Sequence, residues 1–448
     1  MLNFKKFFLV SASIVALAST SFADTSVDDE SGIPDSTPPQ EVVSDLKIEL
    51  NAYAHFQAGY LTQSKLKGEE KNVSANRQHF AFFNESALAA NISNQINDVT
   101  YGGKIILVPT TKRKGGADYN GSHIYLKNAD YGQVQLGSPI PASSTMFVDG
   151  SSIAVGTFDG WGAYAKLNTA HLKQGKDTAP SFADFIEFYM DSKLLGDVEG
   201  RKYSAEPGRS VVYYTPDFNL GNTTKLQLGV SYTPDSSNTG ADSVNTSGVQ
   251  KSKISITDAN GTIYKFEVTP SVKDVVTGGI TLKQEISDGI DVKISATGEY
   301  GKSTSKVTKS ILPAGTEVVS KISDLRTFNV GAVLNVGNIA FAGGYGSLGK
   351  SLTHAELQKT GRKTDYYSAA VAYKQGPFAT SLSYYKTIKY KNTVDAISLG
   401  THYQLAPGFK PYAEISTFTL KGKPEAYPEL TKKKSTGTVV LVGAKLSI

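Results

Sequence analysis

Gly344 to Ser351 reads GYGSLGKS and satisfies the phosphate-loop pattern GxxxxGK[ST], in which glycine amides cradle phosphate oxygens and a lysine meets their charge. A strand-like NIAFA precedes it. That chemistry also needs a helix behind the loop, yet no βαβ alternation surrounds the motif and no apolar strand ends nearby in a magnesium-binding aspartate. Gly343, Gly344 and Gly346 are read instead as inward or crowded strand positions leading into a loop. The histidines (His55, His79, His123, His171, His354 and His402) show no HExxH or other ligand spacing, so no metal site is expected. Asp258, Asn260 and Gly261 open like a calcium loop but lack its downstream glutamate. With no GxSxG elbow either, the sequence offers no catalytic residue and calls for no cofactor.

The remaining charges group by position. Asp149, Asp159, Asp184, Glu187 and Asp191 lie in one long segment, Pro139 to Pro207. Lys104, Lys225 and Lys293, with Arg77 and Arg209 nearer a rim, are the candidate bases opposite them. Acids facing bases across water would set up a transverse field that orders water and biases which ions pass. The competing reading is that these acids only keep a long loop soluble. Within the segment, Ser181 and Asp184 open SFADFIEFYMD in the manner of a capping box and predict a short helix. Which reading holds depends on the elements that carry these residues.

Those elements have a period of two. From Leu46 to Tyr60 the chain reads LKIELNAYAHFQAGY, with Leu, Ile, Ala, Phe or Tyr at even positions and mostly polar residues at odd ones. A strand turns successive side chains to opposite faces, so this one has a greasy wall and a wettable wall. It is also longer than the roughly 5 or 6 residues usual in soluble proteins, and suits the roughly 9 to 11 of a tilted membrane crossing. The dyad recurs near 77–92, 98–109, 121–128, 131–138, 208–216, 224–233, 272–286, 290–301, 324–336, 338–348, 364–375, 377–389, 392–405, 408–420 and 436–448. Sixteen strands are expected, joined alternately by tight turns and long loops, as in an up-and-down outer-membrane barrel.

The two faces agree between distant strands. Ile290, Val292, Ile294, Ala296 and Tyr300 oppose Asp291, Lys293, Ser295, Thr297 and Glu299, and Val440, Val442, Ala444 and Leu446 oppose Lys445 and Ser447. A barrel of this strand number encloses an aqueous hollow, so the apolar set is assigned outward, toward lipid. The inward set mixes Lys47, Lys104, Lys283 and Lys293 with Glu49, Glu85, Glu285 and Glu299, which favours a general over a substrate-specific pore.

Bulk properties fit that picture. Lys5 and Lys6, the apolar run Phe7 to Ala18 and Ser21-Phe22-Ala23 form a signal peptide over residues 1–23. Residues 24–45 are acidic and proline-bearing and are read as a flexible leader, leaving 46–448 as one barrel. There is no cysteine, so disulfides contribute nothing to stability. Loss of Lys5 and Lys6 lowers the formal charge from +5 to +3, too weak to imply nucleic-acid binding.

Two segments resemble the general porins of Gram-negative bacteria, especially those of alphaproteobacteria: SHIYLKNADYGQVQLGS, Ser122 to Ser138, and VVYYTPDFN with LQLGVSYTPD, Val211 to Asn219 and Leu226 to Asp235. The resemblance extends loosely through strand order and loop parity after residue 46. It implies an all-β, 16-stranded antiparallel transmembrane β-barrel with short periplasmic turns, long extracellular loops and an infolded constriction loop, here 139–207. It further implies a homotrimer in outer-membrane lipid that passes small hydrophilic solutes and ions. The family's chains typically end in an aromatic residue, and this one ends in Ile448. The rival readings are a substrate-specific channel and a surface adhesin or structural barrel using the loops Pro234 to Ser271 and Lys302 to Ser323.

Overall fold

Alternation along each strand leaves one face that water does not solvate well, and closing the sheet on itself hides every strand edge while turning all such faces the same way. In the computed structural model this happens with sixteen strands. The structure describes residues 46–64, 79–109, 117–165, 170–171, 185–186, 208–236, 252–257, 263–269, 272–304, 306–312, 316–353, 363–389, 392–422 and 434–448. The wall consists of β1 (Lys47–Gln63), β2 (Phe80–Ile96), β3 (Val99–Pro109), β4 (Ala117–Asn128), β5 (Gly132–Gly137), β6 (Ser210–Tyr214), β7 (Thr224–Asp235) and β8 (Val272–Ser287). It continues with β9 (Ile290–Ser303), β10 (Leu325–Val336), β11 (Ile339–Gly349), β12 (Thr364–Gln375), β13 (Phe378–Lys389), β14 (Asn392–Tyr403), β15 (Phe409–Lys421) and β16 (Lys434–Ser447).

Every strand pairs antiparallel with its sequence neighbour in the wall, and β16 closes on β1 with Tyr53 opposite Ser447 and Gln63 opposite Gly437. Ile448 sits in that seam, exchanging backbone hydrogen bonds with Ala52 at 2.8 and 2.9 Å. One extra pair of residues, Phe218–Asn219, lies against the start of β7. The second strand runs on to Ile96, four residues beyond the end expected from its alternation.

The connections sort by end. At one end lie 97–98, 129–131, 215–223, 288–289, 337–338, 376–377 and 404–408. Gly289, Gly337 and Gly376 take the positive φ (72°, 55° and 55°) that two-residue hairpin turns demand and that a Cβ resists. At the other end the links are long, with one exception: β13 and β14 are joined through 390–391 alone. Two connections expected as loops build structure of their own. Ser252–Thr257, Ile263–Thr269, Lys306–Leu312 and Thr316–Lys321 form a separate antiparallel four-stranded sheet, so the β7–β8 and β9–β10 links satisfy each other's backbone groups.

The faces point as the alternation predicts. On β1, Leu50 and Phe56 are 66% and 51% exposed, whereas His55 and Gln57 are 5% and 2% exposed. Leu228, Val230, Tyr232, Ile294, Val330, Val440 and Val442 are exposed on the outside as well, a surface that only lipid can cover at low cost. No helix among the described residues is long and apolar enough to cross a membrane; the crossing elements are strands.

One departure from a uniformly wettable inner wall stands out. Leu61, Tyr385, Val394, Phe418, Leu420, Val439 and Leu441 point inward and are buried with Phe158, Trp161 and Tyr164. Residues 138–165, which follow β5, enter the barrel, and their apolar side chains recruit apolar wall positions to leave water with them.

Candidate functional site

The infolded segment begins where β5 breaks off. Gly137 (φ 129°) and the bond from Ser138 N to Ser122 O turn the chain inward, and three short helical turns follow: α1 (Ala142–Thr145), a 3-10 turn (Gly150–Ser152) and α2 (Trp161–Tyr164). None is long enough to be stable alone, so the wall must hold them.

It does so strand by strand. Ala142 N donates to Ser231 Oγ on β7 at 2.6 Å, and Ser143 Oγ donates to Glu299 Oε1 on β9 at 3.1 Å, while Thr327 on β10 serves the other oxygen of Glu299. Asn329 Nδ2 holds Val148 O at 3.1 Å and is itself fixed by the Tyr366 hydroxyl. Val155 N donates to Ser381 Oγ on β13 at 2.7 Å. Thr157 donates twice to Glu414 on β15, and the Lys445 ammonium on β16 donates to Gly156 O. The circuit ends on β1, where Gln57 Nε2 donates to the Tyr164 hydroxyl at 3.1 Å, backed by Tyr412, His55 and Glu85. Trp161 stacks on Phe418 with ring centroids 4.9 Å apart.

Close approach requires inward positions without side chains. A Cβ on Gly229 would lie 2.6 Å from Met146 Sδ, one on Gly279 3.0 Å from Met146 Cβ, and one on Gly344 2.7 Å from Asp149 Cβ. At Gly331 and Gly400 it would run into the carbonyl oxygens of Val148 and Val155, and at Gly59 into the Tyr164 ring. These glycines form a seat for the segment, the use expected of glycine inside a strand. Gly344 and Gly346 are thus crowded inward positions, Gly346 lying under Tyr366, whereas Gly343 faces outward in alternation. The GYGSLGKS stretch is extended strand ending in a turn, with Ser351 Oγ spent on Arg326 O, so its backbone amides are not gathered into a phosphate cradle.

The expected charged residues separate into groups. Asp149 is fully buried; its carboxylate caps the 3-10 turn by accepting from Ser151 N at 2.8 Å and takes further bonds from Ser151 Oγ and, at 3.0 Å, Ser368 Oγ. This corrects its assignment as an acid facing water and wall bases: closed off from solvent, it pins the segment, because a buried carboxylate must be hydrogen-bonded. Asp159 is half-buried in the turn before α2. Asp184, Glu187, Asp191 and Arg77 lie outside the described residues. The helix expected from Ser181 is not formed at Phe185–Ile186, which is extended and paired with Ala170–His171; those ladder bonds take the backbone groups a helix would use internally. Arg209 lies just before β6, at the loop end. Lys104 points inward between Asn91 and His123 in register, and Lys225 and Lys293 point inward near the turn end. Among the described residues, no group of three or more His, Cys, Asp or Glu is placed to hold a metal ion.

Glu299 and Glu414, the two wall carboxylates that grip the segment, were not among the expected site residues. The alternation shows that they point inward. Only the path of the segment shows what they hold.

A family model described as Gram-negative porin matches residues 10–423. An uncharacterized protein of Rickettsia felis is 41% identical over 455 residues, covering 98% of this chain and 99% of that protein, and one of Rickettsia prowazekii is 40% identical over 453 residues with the same coverage. Among solved structures, the anion-selective porin from Comamonas acidovorans aligns at TM-score 0.49 and 14% identity over 90% of this chain and 100% of that one. The outer membrane channel DcaP of Acinetobacter baumannii aligns at TM-score 0.43 and 13% identity over 90% and 97%. The family match takes in nearly all of the wall, and it falls on a closed cylinder that is apolar outside and polar within: the chain belongs to the Gram-negative porins, as a channel protein of the outer membrane.

Proposed function

We propose that the protein works by passive diffusion of small hydrophilic solutes and ions through its lumen, with the segment that starts at Pro139 setting the free cross-section. The observation that carries this reading is the pinning of residues 142–164 across the inner wall from β7 round to β1, which places protein inside a cylinder of strands that side chains alone do not fill. Size exclusion at that segment and the field of lumenal charges would do the selecting, with no bound cofactor and no conformational cycle. Asp159, Asp184, Glu187 and Asp191, with Arg77, Lys104, Arg209, Lys225 and Lys293, are the residues proposed to shape that field.

In this reading the turn end faces the periplasm and the long loops face outward, as in other single-chain outer-membrane barrels. Residues 1–23 direct export and are removed after Ala23, residues 24–45 form a leader, and three copies associate through their outer walls. Purified protein in a planar lipid bilayer should give stepwise conductance, N-terminal sequencing of the mature chain should begin at Asp24, and crosslinking should trap a trimer. A correctly folded barrel that carries no current would refute the channel reading.

A further inference from the structure

The turn-end half of the lumen is basic. Lys225 on β7, Lys283 on β8 and Lys293 on β9 stand directly opposite one another across two successive ladders, all pointing inward. Among the described residues none of the three makes an ion pair. Like charges directly opposite on a sheet repel and destabilise it, so three in one row are an unfavourable arrangement that the adjacent inward pair Glu285 and Asp291 offsets only in part and mobile anions would relieve further.

The surroundings add to this potential. Lys410 and Lys445 oppose each other on β15 and β16, and Lys374 on β12 shares a register row with His402 through Ala379 of β13. Lys104 and Lys127 point inward from β3 and β4. Against them stand few carboxylates that face water. Glu49 is paired with Lys47 at 2.6 Å, and Glu285 opposes Asp291 one inward row nearer the turns, where Asp291 accepts from Asn335 at 2.8 Å. Asp235 continues the inward phase of β7 at the opposite, loop end, and Glu85, Glu299 and Glu414 are buried deeper in the barrel and already committed to His55, Ser143, Thr327, Thr157 and Ser416. The lysine row sits four residues along β7 from Gly229, where Met146 of the infolded segment rests, or roughly 13 Å along the strand. A solute that clears the segment therefore meets three ammonium groups next.

We propose that the turn-end lumen is an anion-selecting tract and that the row Lys225, Lys283 and Lys293 is a station for phosphate-type dianions, free or carried on a small solute. A row of ammonium groups offers several donors to tetrahedral oxygens and, in a walled lumen, raises the local concentration of anions well above bulk. The station is passed through rather than occupied for long, since conduction requires binding weak enough to release. This inference rests on the reading of the chain as an open channel, and its test separates the two.

The mature protein is reconstituted in a planar bilayer and its reversal potential measured in a KCl gradient, followed by titration of inorganic phosphate against chloride current. Chloride preference is expected, declining between 0.1 and 1 M salt as the Debye length shrinks from about 10 Å to about 3 Å. Phosphate should lower chloride current saturably. The triple variant Lys225→Gln, Lys283→Gln, Lys293→Gln should raise the half-blocking phosphate concentration about tenfold or more and pull the reversal potential toward zero. Lys283→Gln alone, the middle of the row, should shift both in the same direction by less, and it serves if the triple variant folds poorly. Lys421→Gln, on the outer wall, should change neither. A glucose 6-phosphate titration that loses its effect in the same variants extends the station to phosphorylated solutes, whereas a response to inorganic phosphate alone restricts it to the free ion. Stepwise currents with cation preference, or a phosphate response unchanged in the Gln variants, overturn the inference and leave the channel standing. Absence of current from a folded barrel overturns the channel reading itself.

Discussion

Thr157 and Glu414 share one oxygen: the backbone N–H and the hydroxyl of Thr157 both donate to Glu414 Oε2, at 2.6 and 2.8 Å, while Ser416 occupies Oε1 at 2.9 Å. Glu414 is 3% exposed, so this carboxylate is held within the protein by donors of which two belong to the infolded segment. The segment and the wall are thus mutually dependent. Without the wall the segment has no regular structure to keep, and without the segment Glu414 would face the lumen.

Glu414→Ala should loosen the segment at Thr157. Both Thr157 donors and the Ser416 hydroxyl lose their acceptor, at about 1–3 kcal/mol for each group left buried and unsatisfied. The expected result is a barrel that still inserts but melts earlier in detergent and shows larger, noisier unit conductance. Unit conductance identical to that of the parent would show that the segment keeps its place without this bond.

Gly331→Val should act through volume rather than hydrogen bonding. The new side chain would occupy the place of the Val148 carbonyl, displacing the bond from Asn329 and the cap at Asp149. Overpacking typically costs about 1–3 kcal/mol. Protease cleavage between Pro139 and Trp161 should accelerate while the strands stay protected, which limited proteolysis with mass spectrometry would detect.

Gly344→Val and Lys350→Ala discriminate the two readings of GYGSLGKS. The first should disturb the seat of Asp149 and alter unit conductance; the second should leave conductance unchanged, with no heat of ATP binding in calorimetry for either protein. An ATP-binding isotherm abolished by Lys350→Ala would restore the phosphate-loop reading.

Val330→Lys and Asn335→Lys test the phase of β10. Val330 is exposed on the outer wall at mid-strand, and a lysine there costs about 2–4 kcal/mol near the bilayer midplane. Asn335 points inward near the turn end opposite Asp291, where an added ammonium group remains in water. Val330→Lys should lower the yield of heat-modifiable folded barrel, and Asn335→Lys should not. Equal yields would mean that Val330 does not face hydrocarbon.

The alternation of LKIELNAYAHFQAGY and its fifteen counterparts determined strand number, strand phase and the outward direction of the greasy face, because a period of two is a local property that each strand reports by itself and closure turns all the faces the same way. Loop parity was equally legible, apart from 390–391 and the separate sheet made by the β7–β8 and β9–β10 links. The roles of Asp149, Glu299 and Glu414 were not, since inward phase is the same for an acid facing water and an acid buried against protein. Only the path of the infolded segment decides which inward residues stay wet, and that path is fixed by contacts between positions hundreds of residues apart, such as Gly150 with Ser368 and Thr157 with Glu414. Likewise, Lys225, Lys283 and Lys293 are scattered in sequence and become a row only when two ladders set them in register.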